Sequence, residues 1–134
     1  MALAWLKGGH PERLGAAALI VGFGLGFIVH PWRLSDVYFG DAVLDVALTV
    51  LFGWMALGGD RWWPLAMTGV MALTVLVHGA AFAVPTLTPY ADVSARIGLG
   101  MLTALTLLAG VGERWLAGEP PASAAAVWRS RKKP

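Results

Sequence analysis

Long apolar stretches separated by short polar segments are the dominant pattern along the chain. Four such stretches cover residues 14–30, 41–57, 64–84 and about 95–116. A helix crosses the hydrocarbon core of a bilayer with about 20 apolar residues, within a range of about 17–25. The stretches are too long for globular strands and lack the alternation of membrane-barrel strands. The pattern therefore predicts four transmembrane helices.

Short segments join these stretches, so consecutive helices are expected to lie side by side and antiparallel. The predicted fold class is all-α: an integral membrane four-helix bundle with up-down-up-down topology. We expect residues 1–117 to form the four-helix domain and residues 118–134 to form a flexible basic cytoplasmic tail. The first stretch is longer than the apolar region of most signal peptides and no small-x-small cleavage site follows it, so it is expected to remain as a helix.

The composition agrees with a membrane location. Hydrophobic residues make up 57% of the chain and charged residues 13%, with a mean hydropathy of +0.67, whereas a soluble domain is roughly one-quarter charged. The absence of cysteine excludes disulfides, thiol nucleophiles and cysteine-ligated metals. The chain is basic, but its terminal run "RSRKKP" is typical of a topology signal or an anionic-lipid contact. We therefore predict no nucleic-acid partner.

The distribution of basic residues predicts the orientation. The side that holds both termini carries eight of them, and the other side carries two. The first group is Lys7, Arg13, Arg61, Arg114, Arg129, Arg131, Lys132 and Lys133, and the second is Arg33 and Arg96. Positive residues accumulate on the cytoplasmic side of membrane proteins. The prediction is a multi-pass protein of a bacterial inner membrane with both termini in the cytoplasm.

Small residues and tryptophans provide packing and interface signals. Small residues spaced to share a helix face allow backbones to approach closely in lipid. These predicted packing positions are Ala18, Gly22 and Gly26 in the first stretch and Gly100 and Gly110 in the fourth. Indole rings at the ends of membrane helices favour the interface. The predicted interface anchors are Arg61, Trp62, Trp63 and Trp115.

Ionisable residues gather at one end of the predicted bundle, the outer end in this topology. They are His30, Asp41, Asp45, His78, Asp92 and Arg96. Ionisable groups at membrane depth are costly and usually face the bundle interior. Some of them have ordinary structural explanations, because carboxylates favour helix N-termini and Arg96 is spaced to pair with Asp92 on its own helix. Asp45 and His78 lie deepest and are explained least well in this way.

Several functions fit these residues. The leading hypothesis is a non-enzymatic accessory or scaffold subunit of a larger membrane complex, in contact with the lipid bilayer and with other subunits or itself. A second is a redox protein that binds haem or a metal ion through His30 and His78. A third is a minimal proton-coupled transporter that uses Asp45. An acid–base enzyme ranks last because no nucleophile is evident.

The segments "DAVLDVAL", "ALGGDRWWPL" and "TVLVHGA", within residues 41–80, resemble a group of small four-helix bacterial inner-membrane proteins without an assigned function. The resemblance covers only the second and third predicted helices. It singles out Asp41, Asp45, Asp60, Arg61, Trp63, Pro64 and His78. It implies a fold and a membrane location, but no activity and no catalytic residues.

Overall fold

The computed structural model describes residues 1–32, 38–84 and 89–119 of the chain. These residues form five helices: α1 (Ala2–Lys7), α2 (His10–Val29), α3 (Phe39–Gly58), α4 (Trp63–Ala83) and α5 (Pro89–Leu116). No strand occurs among them, which confirms the predicted all-α class. Arg33 and residues 120–134, which contain most of the predicted basic tail, lie outside the described residues.

Helices α2 to α5 correspond to the four predicted membrane spans. They are 20–28 residues long and apolar enough to cross a bilayer. Within the most apolar window of each helix, only 22–28% of the residues are buried in the protein. The remaining apolar side chains face outward, which suits hydrocarbon and not water. The chain is accordingly a multi-pass membrane protein.

Two helix starts differ from the apolar pattern because polar residues occupy the first turns. Helix α2 begins at His10, not near residue 14, with Pro11 in its first turn, where a missing N–H costs little. The backbone N–H of Gly9 donates to the Glu12 carboxylate at 2.6 Å, which satisfies one free donor of the helix end. Helix α5 begins at Pro89, six residues before the predicted start at residue 95.

The short helix α1 was not predicted. It presents Leu3, Trp5 and Leu6 outward, each more than half exposed, while Ala4 is fully buried against the bundle. The backbone turns at Gly8, where an added Cβ would lie 2.6 Å from the Cβ of Glu12. A side chain at this position would therefore collide with the start of α2. Helix α1 packs on α2 and α5 at the end of the bundle that holds Glu12.

The hydrophobic core occupies one half of the bundle. Its fully buried large side chains are Leu19, Phe52, Trp63, Met67 and Leu107, contributed by all four long helices. We call this half the Glu12 end, because it contains the start of α2 and α4 and the end of α3 and α5. The opposite half, which we call the His30 end, contains the end of α2 and α4 and the start of α3 and α5.

Trp63 is the centre of the core and not an interface anchor. Its side chain has no exposed surface and packs edge-on against Phe52, with ring centroids 6.2 Å apart. An added Cβ would lie 2.8 Å from its ring at Gly15 and 2.6 Å from it at Gly110. The indole therefore fills space that two glycines leave open on α2 and α5. Trp62 and Trp115, in contrast, are 52% and 83% exposed.

The predicted packing glycines divide into two groups. Gly22 faces Leu48 of α3, which an added Cβ would approach to 3.1 Å, and Gly110 faces Trp63 as described. Added Cβ atoms at Gly26 and Gly100 would meet nothing within 4 Å in the described residues. Ala18 is half-buried. Only part of each predicted ridge is therefore a close helix contact, and the remainder borders open space.

Candidate functional site

Helix α3 carries two carboxylates at the His30 end of the bundle. Asp41 and Asp45 are four residues apart, so they project from the same face about one turn from each other. The side chain of Asp41 is 10% exposed and that of Asp45 is 20% exposed. Each carboxylate is approached by a histidine from a neighbouring helix.

Asp41 joins α2, α3 and α5. Its Oδ2 atom lies 3.0 Å from Nδ1 of His30 and 2.6 Å from Nη2 of Arg96. A single carboxylate oxygen of Asp41 therefore contacts side chains that follow α2 and lie on α5. The His30 ring also stacks on Tyr38, with centroids 4.2 Å apart. We call the set formed by His30, Asp41, Asp45, His78, Asp92 and Arg96 the polar cluster.

Asp45 joins α3 to α4. Its Oδ2 atom lies 3.0 Å from Nε2 of His78, whose side chain is 5% exposed. Within the described parts of the chain, no lysine or arginine forms an ion pair with Asp45. Within the described residues, the contact with His78 is the one side-chain hydrogen bond or ion pair of the Asp45 carboxylate.

Asp92 does not form the pair with Arg96 that its spacing on α5 predicts. The Arg96 guanidinium reaches across to Asp41 on α3. The Oδ1 atom of Asp92 is buried and has no hydrogen-bond partner among residues 1–32, 38–84 and 89–119. An inter-helix contact thus replaces the local pair, and Asp92 forms no ion pair with any of the described residues.

A cavity of about 640 Å³ adjoins the polar cluster and lies between α2, α3 and α5, with two α4 residues also lining it. The cluster residues that border it are His30, Asp41, Asp45 and Arg96. The rest of its lining is mainly apolar and includes Leu19, Phe23, Phe27, Leu48, Met71 and Ile97. The cavity also takes in Gly26 and Gly100, which explains the open space beside these two glycines.

The cavity opens sideways between α2 and α5. Its rim residues Phe23, Phe27 and Ile97 are 58%, 86% and 61% exposed, and α2 and α5 meet only over a short contact. The lining extends along α2 from Leu19 to His30, a distance of about 16 Å at 1.5 Å per residue. This length is close to half of the hydrocarbon thickness of about 30 Å. The cavity thus has the length of one leaflet, with its polar residues at one end.

The residues of the site do not fit a haem held between His30 and His78. A bis-histidine haem needs both imidazoles directed at one iron from facing sides. His30 lines the cavity, whereas His78 does not and uses its Nε2 for Asp45. No group of three histidine, aspartate or glutamate side chains in the described residues is arranged to hold a metal ion. Within the described residues, the donor sets therefore match neither a bis-histidine haem nor a metal site with three such ligands.

A second charged cluster, which the sequence pattern did not reveal, lies at the Glu12 end. Glu12 has no exposed surface and accepts hydrogen bonds from the Gly9 backbone at 2.6 Å and from Nε1 of Trp63 at 3.2 Å. Arg114 lies 3.7 Å from the same carboxylate. Gly9 and Glu12 have the spacing of a capping box at the start of a helix, so their contact could have been predicted from the sequence. The partners on α4 and α5 were not visible without the tertiary structure.

The predicted anchor Arg61 belongs to this second cluster. It lies 3.7 Å from Glu113 and forms an ion pair with Glu119, which is also 3.4 Å from Arg114. These contacts connect the α3–α4 segment with the end of α5. Together with buried Glu12 and Trp63, they hold the ends of the helices in place, so we assign this cluster a structural role.

Comparison with known proteins gives no further guide to function. No family model matches the sequence. None of the curated proteins matches it, and no solved structure matches the fold.

Proposed function

We propose that this multi-pass membrane protein is a non-enzymatic binding protein that holds a membrane-dissolved amphiphile in the lateral cavity. The observation that carries the proposal is the cavity of about 640 Å³ with ionisable side chains at one end and apolar walls along the rest. A molecule with a polar head and a hydrocarbon chain matches this division. Its head would meet the polar cluster and its chain would lie toward the middle of the bilayer.

The free-energy cost of placing ionisable side chains inside a membrane supports a role of the polar cluster in binding. Ionisable residues inside a membrane are expensive, and they usually mark a ligand or ion pathway. Here they converge from four helices on two carboxylates, beside a cavity that lipid-phase molecules can enter sideways. Helix packing alone would be served by apolar residues at these positions.

We place the protein in a bacterial inner membrane with both termini in the cytoplasm, which assigns the His30 end to the outer leaflet. The basic-residue asymmetry supports this orientation. We further propose that the protein acts as an accessory subunit that presents its ligand to a larger complex. Purification from native membranes in mild detergent should then retain a stoichiometric partner, and a clean monomer would contradict the accessory role.

Native mass spectrometry of the protein released from detergent micelles tests the binding function. Wild-type protein should retain one amphiphile. Gly26→Trp should lose the amphiphile, because Gly26 lines the cavity and the indole would occupy it. The Cβ of the new side chain would meet no atom within 4 Å, so the helix itself should not be displaced. Gly24→Trp is the matched control, since Gly24 lies on the same helix, is exposed, and does not line the cavity.

Equal retention by both variants would contradict the proposal, as would wild-type protein that carries no amphiphile. Both variants should show wild-type helical content by circular dichroism, because an added Cβ at either glycine meets nothing within 4 Å. This check separates loss of ligand from loss of fold.

Proton-coupled exchange is a second candidate, favoured by the Asp45–His78 pair at membrane depth. Aspartate and histidine side chains at membrane depth form the proton relays of many transporters. In proteoliposomes, Asp45→Asn should abolish uptake driven by a pH gradient, whereas Asp60→Asn removes a carboxylate from an exposed position and should not. Unchanged uptake in Asp45→Asn would remove this candidate.

A further inference from the structure

The charge of the polar cluster indicates which head group the cavity accepts. Resting on the proposed binding function, we infer that the ligand is a cationic amphiphile, with an amine or quaternary ammonium head placed between Asp41 and Asp45 and its chain along the groove between α2 and α5.

The cluster is anionic when its imidazoles are neutral. The part that borders the cavity then holds two carboxylates, from Asp41 and Asp45, and one guanidinium, from Arg96. Arg96 is committed to Asp41 at 2.6 Å. Asp45 and Asp92 have no such partner in the described residues. A positive head group supplies the charge that the protein lacks here.

Both carboxylates on α3 have an acceptor atom that no hydrogen bond in the described residues uses. Oδ2 of Asp41 accepts both His30 and Arg96, and Oδ2 of Asp45 accepts His78. The remaining Oδ1 atom of each carboxylate has no hydrogen-bond partner in the described parts of the chain. Both residues line the cavity, and Asp41 is nine-tenths buried. A protonated amine can donate to both carboxylates, because they lie one helical turn apart on one face of α3. A quaternary ammonium has no N–H, so it would be held there by charge alone.

Anionic and zwitterionic head groups match the charge of the polar cluster less well than a cationic one. A sulfate or phosphate monoester would bring negative charge beside two carboxylates, and its attraction to Arg96 is already weakened by the Asp41 contact. A zwitterionic head brings no net charge. The low polarity around the cavity strengthens these charge effects relative to water.

A proton on His78 is the competing source of positive charge. The charged and titratable groups of the polar cluster come from all four long helices: His30 at the end of α2, Asp41 and Asp45 on α3, His78 on α4, and Asp92 and Arg96 on α5. If His78 is protonated, Asp45 is already balanced and needs no cationic ligand. His78→Gln distinguishes the two cases, because glutamine keeps a hydrogen-bond donor but cannot take up a proton and stays neutral.

Photolabelling with three head groups on one chain tests the inference. The probes carry the same diazirine-bearing dodecyl chain and a trimethylammonium, phosphocholine or sulfate head, and the full-length protein is reconstituted in nanodiscs. The trimethylammonium probe should label α2 and α5 residues such as Phe27 and Ile97 at about tenfold lower concentration than the sulfate probe. Asp45→Asn should erase this preference, because it removes one charge while keeping the shape and an acceptor for His78.

Asp60→Asn is the matched control and should retain the full preference, since it removes the same charge from an exposed position at the other end. Equal labelling of the groove by all three probes, with no effect of Asp45→Asn, would overturn the cationic head while leaving the proposed binding function intact. No groove labelling by any probe would overturn both. A preference for the cation only in His78→Gln would also overturn the inference, because the wild-type pair would then balance its own charge.

Discussion

Trp62 and Trp63 are adjacent in the chain, yet their indole rings occupy opposite environments. Trp62 is half exposed, whereas Trp63 is completely buried and donates to Glu12 through Nε1. A local sequence signal for an interface tryptophan applies equally to both residues. The difference arises because Trp63 meets open space beside glycines of α2 and α5, which lie far from it in the sequence.

Replacement of Trp63 should therefore be much more costly than replacement of its neighbour. We expect Trp63→Ala to lower the free energy of unfolding by about 3–5 kcal/mol, because a large core side chain is lost and a cavity remains. The measurement is equilibrium unfolding in mixed micelles. Trp62→Ala serves as the control and should change stability by less than about 1 kcal/mol. Equal losses in both variants would contradict the buried position of Trp63.

The Glu12 carboxylate is the second residue whose surroundings determine its role. Glu12→Ala removes the acceptor of the Gly9 N–H and the Trp63 indole and leaves Arg114 without this carboxylate. Breaking a buried charged contact in this way should destabilise the fold by about 3–5 kcal/mol. Asp60→Ala, which removes an exposed carboxylate at the same end, should remain within about 0.5 kcal/mol of wild type. A Glu12→Ala variant as stable as Asp60→Ala would show that the buried network contributes nothing.

At the scale of the helices, glycine content alone does not identify the packing faces. Helix α5 contains Gly98, Gly100, Gly110 and Gly112, but an added Cβ has a close neighbour in the described residues only at Gly110. Lipid provides little hydrophobic drive for helix association, so such close backbone contacts are a main source of packing energy. The face of α5 that contacts α4 is determined by the shape of its partner and not by its own pattern.

Two glycines of α5 provide a matched test of this contact. Gly110→Ala should destabilise the bundle by about 1–3 kcal/mol, because the new methyl group would lie 2.6 Å from the Trp63 ring. Gly112→Ala adds the same methyl group where no atom lies within 4 Å, so it should be neutral or stabilising by about 0.5–1 kcal/mol through helix propensity. Thermal unfolding of both variants in one detergent is the measurement. The same midpoint for both would contradict the α4–α5 packing.

The whole molecule is a bundle with two different ends. The Glu12 end is tightly packed around Trp63 and closed by buried and ion-paired charges. The His30 end contains the polar cluster and a cavity that opens between α2 and α5. The two ends meet at Leu19 and Met71, which belong to the core and also line the cavity, whereas Trp63 and Glu12 do not border it.

The orientation of these ends in the membrane can be measured directly, because the chain contains no cysteine. Single-cysteine variants Asp60→Cys and Tyr90→Cys place a thiol at exposed positions on opposite ends of the bundle. With both termini in the cytoplasm, a membrane-impermeant maleimide should label Tyr90→Cys in intact cells and Asp60→Cys only after the inner membrane is opened. The reverse labelling would invert the predicted topology. Expression of both variants at wild-type level serves as the control for correct insertion.

The sequence by itself determined the four membrane helices and their antiparallel order, and it placed ionisable residues at one end of the bundle. These features depend on local composition and on the length of apolar stretches, which the thickness of a bilayer restricts. Helix starts were less well determined where polar residues occupy the first turn, as at His10 and Pro89.

Only the tertiary structure decided which polar residues pair and where space remains. Arg96 pairs with Asp41 and not with Asp92, His30 and His78 approach different carboxylates, and buried Glu12 meets Trp63. These contacts depend on the rotation of each helix about its axis and on the depth at which it meets its neighbours. Neither quantity is encoded in a local pattern, because both result from how the side chains of several distant segments fit together.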